Sequence, residues 1–292
     1  MSVRRKFGWA VPLAVAAIVS GSPISAGGTP GAAGTPDAAG TPGAAGTPSA
    51  TSTPNEALPE GFVYLRDVAP SIQQDMRYAG SGNFTGRPVP GYEAPECILV
   101  KAAAEALKAA QAELKPMGLS LKVYDCYRPK QAVAAFVDWS KEPDNPGAKR
   151  THYPNLTKSS LFPDYIATRS GHSRGATLDV TIVPAGSSPS PAGSNSVKQE
   201  PCTAGDDDDN GLDMGTGFDC FDSKANTVTE GLTAEQERNR RLLVEVMNRH
   251  GFKNYPKEIW HYTFEPEPFP DTYFDFPILP RPADGTSTPG KT

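Results

Sequence analysis

Histidine is scarce in this chain: four in 292 residues, so few sites can be built from imidazole. Cysteine is equally scarce. None of Cys97, Cys126, Cys202 and Cys220 stands in a C-x-x-C pair, which argues against a structural zinc held by thiolates. No basic cluster follows the first few residues, and the formal charge is −5, so nucleic acid is not an expected partner. Beyond the start of the chain no apolar run is long enough to cross a bilayer, so no membrane span is expected there.

What is present is unevenly distributed. Residues 1–26 pass from a basic start (Arg4, Arg5, Lys6) through an apolar stretch, Trp9 to Val19, to small residues ending at Ala26. That is the order of a secretory signal, with an uncleaved anchor as the alternative. Residues 27–59 carry the near-repeat GTPGAA, GTPDAA, GTPGAA, GTPSAT and offer nothing to bury, so a disordered spacer is expected. Residues 60–280 suit one domain with a core, and 281–292 form a polar tail expected to be disordered. Such a protein is expected to be exported to the periplasm, envelope or exterior, and tethered if the signal stays. Export makes disulfides chemically reasonable. Of the three possible pairings, Cys97–Cys126 with Cys202–Cys220 is preferred, because the second would close a polar loop that has little else to hold it; buried thiols are the alternative.

Within the domain, Ala, Leu, Lys and Glu from Lys101 to Leu114 predict a helix ended by Pro116 and Gly118. Leu119, Leu121 and Val123 alternate with polar residues and predict a half-buried strand, followed by a short helix from Lys130 to Trp139. Thr177 to Val183 is a second alternating strand. A capping box of Thr233 and Gln236 opens a helix from Ala234 to His250, closed by Gly251. A further strand is expected from Trp260 to Phe264. Between them, residues 184–213 are rich in Ser, Pro, Gly and Asp and read as an inserted loop. Asp206 to Gly211 resembles the start of a calcium loop, but Gly217 stands where its twelfth-position glutamate belongs, so a solvated acidic loop is preferred.

Two histidines sit in settings that suggest chemistry. His172 and Asp179 lie seven apart in Ser170-Gly-His172-Ser-Arg-Gly175-Ala-Thr-Leu-Asp179, and His261 closes Glu258-Ile-Trp-His261. Two imidazoles and a carboxylate can hold a zinc ion with a position left for water, and a neighbouring glutamate can take that water's proton. Asp179 shares a strand face with Thr177 and Thr181, opposite Leu178, Val180 and Ile182, which makes it a rigid ligand. Glycines 171 and 175 permit close approach and a turn into that strand. Glu258 and His261, three apart, would fall on opposite faces of a regular strand. They can address one ion only if Glu258 lies in a turn, which Pro256 favours. His250, near a helix end, is expected to be structural, and His152, in a polar stretch, to be exposed.

These residues, with Arg77-Tyr78-Ala79, Asn83-Phe84-Thr85-Gly86, Tyr127-Arg128-Pro129, Met214-Gly215 through Phe218-Asp219, and Tyr273-Phe-Asp-Phe276, make the chain resemble VanX-type D-alanyl-D-alanine dipeptidases. That zinc peptidase group also holds D-Ala-D-Ala carboxypeptidases and the hedgehog signalling domain. The resemblance runs through nearly all of the domain. It implies an α+β fold, an antiparallel sheet flanked by helices, and one Zn2+ held by His172, Asp179 and His261. It also implies Glu258 as general base, Arg128 as the group that stabilises the oxyanion, and Tyr78, Ser170 and Asp219 along the pocket of a small D,D-dipeptide. Asp219 would meet the free ammonium. The implied reaction is hydrolysis of D-Ala-D-Ala in cell-wall dipeptide turnover. The alternatives are a zinc D,D- or L,D-carboxypeptidase acting on peptidoglycan stems, and a non-catalytic hedgehog-like zinc module; a purely structural zinc would need neither Glu258 nor Arg128. Two departures stand out: Thr177 where the family usually has Ala, and the insertion ahead of Asp219, which bears on dipeptide preference.

Overall fold

Residues 57–188, 201–204 and 210–282 are described by the structure, a computed structural model. The expected signal, nearly all of the expected spacer and tail, and Asp206 to Asp209 of the acidic loop lie outside the described residues.

The described chain opens with β1 (Phe62–Tyr64), the single turn α1 (Leu65–Val68) and the two-residue β2 (Gln73–Gln74). After an irregular stretch, β3 (Ile98–Val100) pairs antiparallel with β1 and leads directly into α2 (Lys101–Leu114). The helix covers the expected residues, and its buried face is mostly alanine: Ala103, Ala104, Leu107, Ala110 and Leu114. Small side chains let it lie close to the sheet. Gln111, on the same face, accepts from the backbone N–H of Leu121 (2.7 Å) and donates to Ser120 Oγ (2.9 Å), serving strand groups that the short β2 does not reach. Pro116 and the left-handed Gly118 (φ 72°) end the helical run as expected.

The chain then forms β4 (Leu119–Asp125), α3 (Lys130–Lys141), α4 (Pro146–His152), β5 (Thr177–Pro184), α5 (Ala234–Arg249), β6 (Phe252–Asn254) and β7 (His261–Phe264). The main sheet runs β2-β4-β5-β7-β6. Its pairs are antiparallel except β2 with β4, which is parallel. Helices α2 and α5 pack on each other, α2 also against β4 and α5 against β6. The α+β architecture is the one expected, with one parallel pair added.

Both central strands are more enclosed than their alternation suggests. β4 was expected to be half-buried, yet Ser120, Lys122 and Asp125 are buried along with Leu121 and Val123, and every residue of β5 but Pro184 is buried. The polar face of the sheet is the floor of a site roofed by other segments, not a wet surface. Thr177 and Thr263 answer each other across the strands through their hydroxyls (2.9 Å), so polarity there is satisfied. The helix α4 lay unrecognised in a polar stretch, although Asn145 caps it through Gly147 and Ala148 and Pro146 fills its first turn. Among the described residues no helix is long and apolar enough to cross a membrane.

Candidate active site

Sheet register brings the first residues of the site together. Asp125 on β4 stands opposite Asp179 on β5, and Asp179 stands opposite His261 on β7. The three form one row across three strands, at the spacing of directly paired residues. A register irregularity between Val123 and Asp125 inserts Tyr124 and turns the end of β4 toward the row.

His172 comes from the tight turn Gly171–Arg174, which Ser170 caps by accepting from the His172 N–H (3.3 Å). The turn closes on Gly175, whose φ is +81°; a Cβ there would lie 2.2 Å from Phe62 Cε1. Only glycine fits, and the chain swings from His172 straight into β5. His172 Nδ1 donates to the Cys126 carbonyl (2.7 Å), which leaves its Nε2 lone pair facing the row. Nε2 lies 3.3 Å from His261 Nδ1 and 3.5 Å from Asp179 Oδ1, and His261 Nδ1 lies 3.1 Å from that same oxygen.

These three side chains offer ligand atoms all within 4.8 Å of one another. Asp179 Oδ1 is buried and makes no hydrogen bond of acceptable geometry despite the nearby nitrogens. A buried carboxylate oxygen without a donor, facing two ring nitrogens, is a poor arrangement for the bare protein and a good one around a cation. The donor set therefore fits a metal ion, as its chemistry led one to expect.

Glu258 lies in the turn before β7, not on the strand, and its N–H is held by the Tyr255 carbonyl (3.1 Å). The turn resolves the three-residue spacing: Glu258 Oε2 is 3.5 Å from His261 Nδ1. Burial first, then the charges of Asp179 and Asp219, push the Glu258 carboxyl well above the usual carboxylate range. Burial works to raise Asp179 as well, but His172 and His261 outweigh it and hold that carboxyl low. Burial lowers His261, which favours its neutral, ligating form.

Arg128 follows β4 and is fixed by Asp125, whose Oδ2 accepts from its Nε (2.9 Å) and Nη2 (2.7 Å). Burial disfavours its charge, yet Asp125 and the neighbouring groups keep it protonated. Its guanidinium lies over Tyr78 and Phe136. Tyr78 OH donates to Asp219 Oδ2 (2.8 Å). Asp219 is buried in a left-handed conformation (φ 56°), and its carboxyl is pushed up to about 8 by burial and then by Asp179. Cys220 beside it is bonded to Cys202, and Cys97 to Cys126, the preferred pairings.

All eight expected site residues line one cavity of about 250 Å3: Tyr78, Arg128, Ser170, His172, Asp179, Asp219, Glu258 and His261. Two supporting residues were missed. Asp125 is fully buried, accepts from Tyr92 OH (2.7 Å) and lies 3.4 Å from His172 Nδ1, so it braces both Arg128 and a ligand. Its signal was available in the Asp125/Arg128 spacing at a strand end. His152 is not exposed: it is half-buried, meets the edge of Phe84, and its Nδ1 donates to the Asp219 carbonyl (3.3 Å). The unrecognised α4 places it there. His250 ends α5 and pairs with Glu113 (2.8 Å), away from the cavity, as a structural residue would.

Comparison with known proteins adds to this geometry. The family model described as D-ala-D-ala dipeptidase matches residues 59–195 and 184–279, and the two matches meet where the Ser/Pro/Asp-rich segment begins. A D-alanyl-D-alanine dipeptidase of Enterococcus faecalis is 35% identical over 222 residues, 76% of this chain and 100% of that protein. One from Streptomyces coelicolor is 37% identical over 74% of this chain and 98% of its own length. One from Enterococcus faecium is 33% identical over 75% and 98%.

Proposed function

The chain belongs to the D-Ala-D-Ala dipeptidase family, and from that membership we propose that it is a zinc metallopeptidase that hydrolyses D-alanyl-D-alanine to two D-alanines. The observation that carries this reading is the meeting of a His/Asp/His ligand set, a buried glutamate and a fixed arginine in one small cavity. His172 Nε2, His261 Nδ1 and an Asp179 oxygen would hold the ion, and a nitrogen-rich set with one carboxylate suits zinc. When bound, zinc supplies a Lewis acid that polarises the scissile carbonyl and allows water to act as a nucleophile near neutral pH.

The chain's own groups do the rest. Glu258 accepts the proton of the attacking water at a carboxylate oxygen and returns it to the departing amine; burial raises its affinity for protons, which favours taking one. Arg128, on the cavity wall, stabilises the carbonyl oxygen as charge develops there, and Asp125 keeps the guanidinium from swinging away. Asp219, set by Tyr78, receives the substrate's ammonium; a carboxyl surrounded by negative charge gains most from a cationic partner. Ser170 serves first as the cap that orients His172 and then as part of the wall.

The test is Glu258→Ala, assayed with zinc loaded and D-alanine release measured. It should retain the metal while kcat falls by roughly 10²–10⁴-fold; unchanged hydrolysis would remove Glu258 from the mechanism. Wild type offered D-Ala-D-Ala and a pentapeptide stem should cleave the dipeptide. Stem cleavage alone would replace this reading by a carboxypeptidase. Export and a role in turnover of wall-derived dipeptides are part of the proposal, supported by the signal-like start and by two disulfides of a kind that persists in oxidising compartments.

A further inference from the structure

A free dipeptide carries two charges, and the groups above account for one. Its ammonium has Asp219, but its terminal carboxylate needs a cation or an equivalent set of donors. Two arginines line the cavity, Arg128 and Arg169. Arg128 is committed: two of its nitrogens bond Asp125, and Asp179 lies 3.7 Å away. Arg169 is not. Among the described residues it makes no ion pair and no hydrogen bond, and its guanidinium instead lies 4.2 Å from the centre of the Tyr273 ring.

Arg169 is exposed at the rim, but it is not adrift. Tyr273 OH accepts from Arg174 Nη1 (3.0 Å), and Arg174 is itself clamped by Glu267 through two 2.7 Å bonds. The ring is therefore fixed by a braced pair, and Arg169 rests on a fixed ring. In sequence it directly precedes Ser170, the cap of the turn that carries His172, so its backbone is tied to the metal-binding turn. A guanidinium kept at the mouth with its donor edge unsatisfied is suited to a carboxylate, which it can meet with two parallel hydrogen bonds.

We infer that Arg169 is a specificity-determining residue that binds the terminal carboxylate of the substrate. The inference rests on the dipeptidase reading and deepens it. Asp219 and Arg169 together would read both ends of a short zwitterion, and an amidated or extended carboxyl end would lose the second contact. Arg169 contacts no reacting atom, so its effect falls on binding and leaves the chemical step nearly untouched.

The test compares D-Ala-D-Ala with its carboxamide, D-Ala-D-alaninamide, on the full zinc-loaded chain. Wild type should favour the free acid. Arg169→Ala should raise KM for the acid about tenfold, change kcat by less than about twofold and leave the amide unaffected. Arg169→Lys should recover part of the loss, since it restores charge without the fork. An unchanged KM for the acid in Arg169→Ala, or equal losses on acid and amide, overturns the assignment while leaving the dipeptidase reading intact. Wild-type protein that holds zinc and cleaves neither compound overturns both.

Discussion

At the scale of single residues, the site depends on which groups are held by others. Arg128 is the clearest case, because Asp125 takes two of its donors and so fixes the guanidinium on the cavity wall. Arg128→Ala should lower kcat by roughly 10²–10³-fold with a smaller change in KM, as for a donor whose bond strengthens only as charge develops. The substitution also leaves Asp125 buried without its cation, which destabilises the fold. Arg128→Lys, with the melting temperature followed alongside kcat, separates the two effects: the lysine variant should keep most of the stability and still lose most of the rate. A lysine variant that keeps both the stability and the rate would make Arg128 structural. The same logic explains why the Asp125/Arg128 spacing was the one mark of Asp125 in the sequence. A buried acid looks like any other acid until its partners are known, and Tyr92, Arg128 and His172 reach it from three separate segments.

At the scale of elements, the turn between His172 and β5 is the part with least freedom. Gly175 has a left-handed φ and no room for a Cβ against Phe62. Gly175→Ala should cost about 2–4 kcal/mol, combining the unfavourable backbone region with overpacking. A lowered urea midpoint at unchanged slope would register this; a midpoint equal to wild type would show that Phe62 and the turn relax freely. Activity should fall with it, since the turn sets the distance from His172 to Asp179. Strong local patterns were legible here. Helix α2 ends where Pro116 and Gly118 demand, and α5 starts at its capping box. α4 was harder because its seven residues carry no apolar periodicity, and only the Asn145-Pro146 pair announces it. The short β2 and β6 likewise exist because a neighbouring strand presents partners, not because two or three residues declare a strand.

At the scale of the whole molecule, the Cys97–Cys126 bond joins the residue just before β3 to the residue whose carbonyl orients His172. It closes a loop with a sequence separation of 29. Replacing both cysteines by serine should cost about 3–4 kcal/mol by the loop-entropy estimate, read as the difference in urea unfolding between the variant and oxidised wild type. Equal stability of the two would show that the core alone carries this junction. The second bond, Cys202–Cys220, ties Cys202 of the inserted segment to the residue next to Asp219, which lines the cavity. The family match divides at residues 184–195, consistent with a segment added to a shared framework.

The amino-acid sequence by itself determined the chemistry on offer: two imidazoles, three acids and an arginine in order, with glycines where the backbone must turn and four cysteines that allow three pairings. These are local or compositional properties, set by side-chain type and by spacing over a few residues. Only the tertiary structure decided that Glu258 stands in a turn within reach of His261, that Asp179 lies in register with both Asp125 and His261, and that His152 supports Asp219. Those facts depend on strand register and on segments far apart in the chain packing over one polar sheet face. Burial then changes what each charge does, and burial is a property of the assembled fold that no short stretch of residues carries.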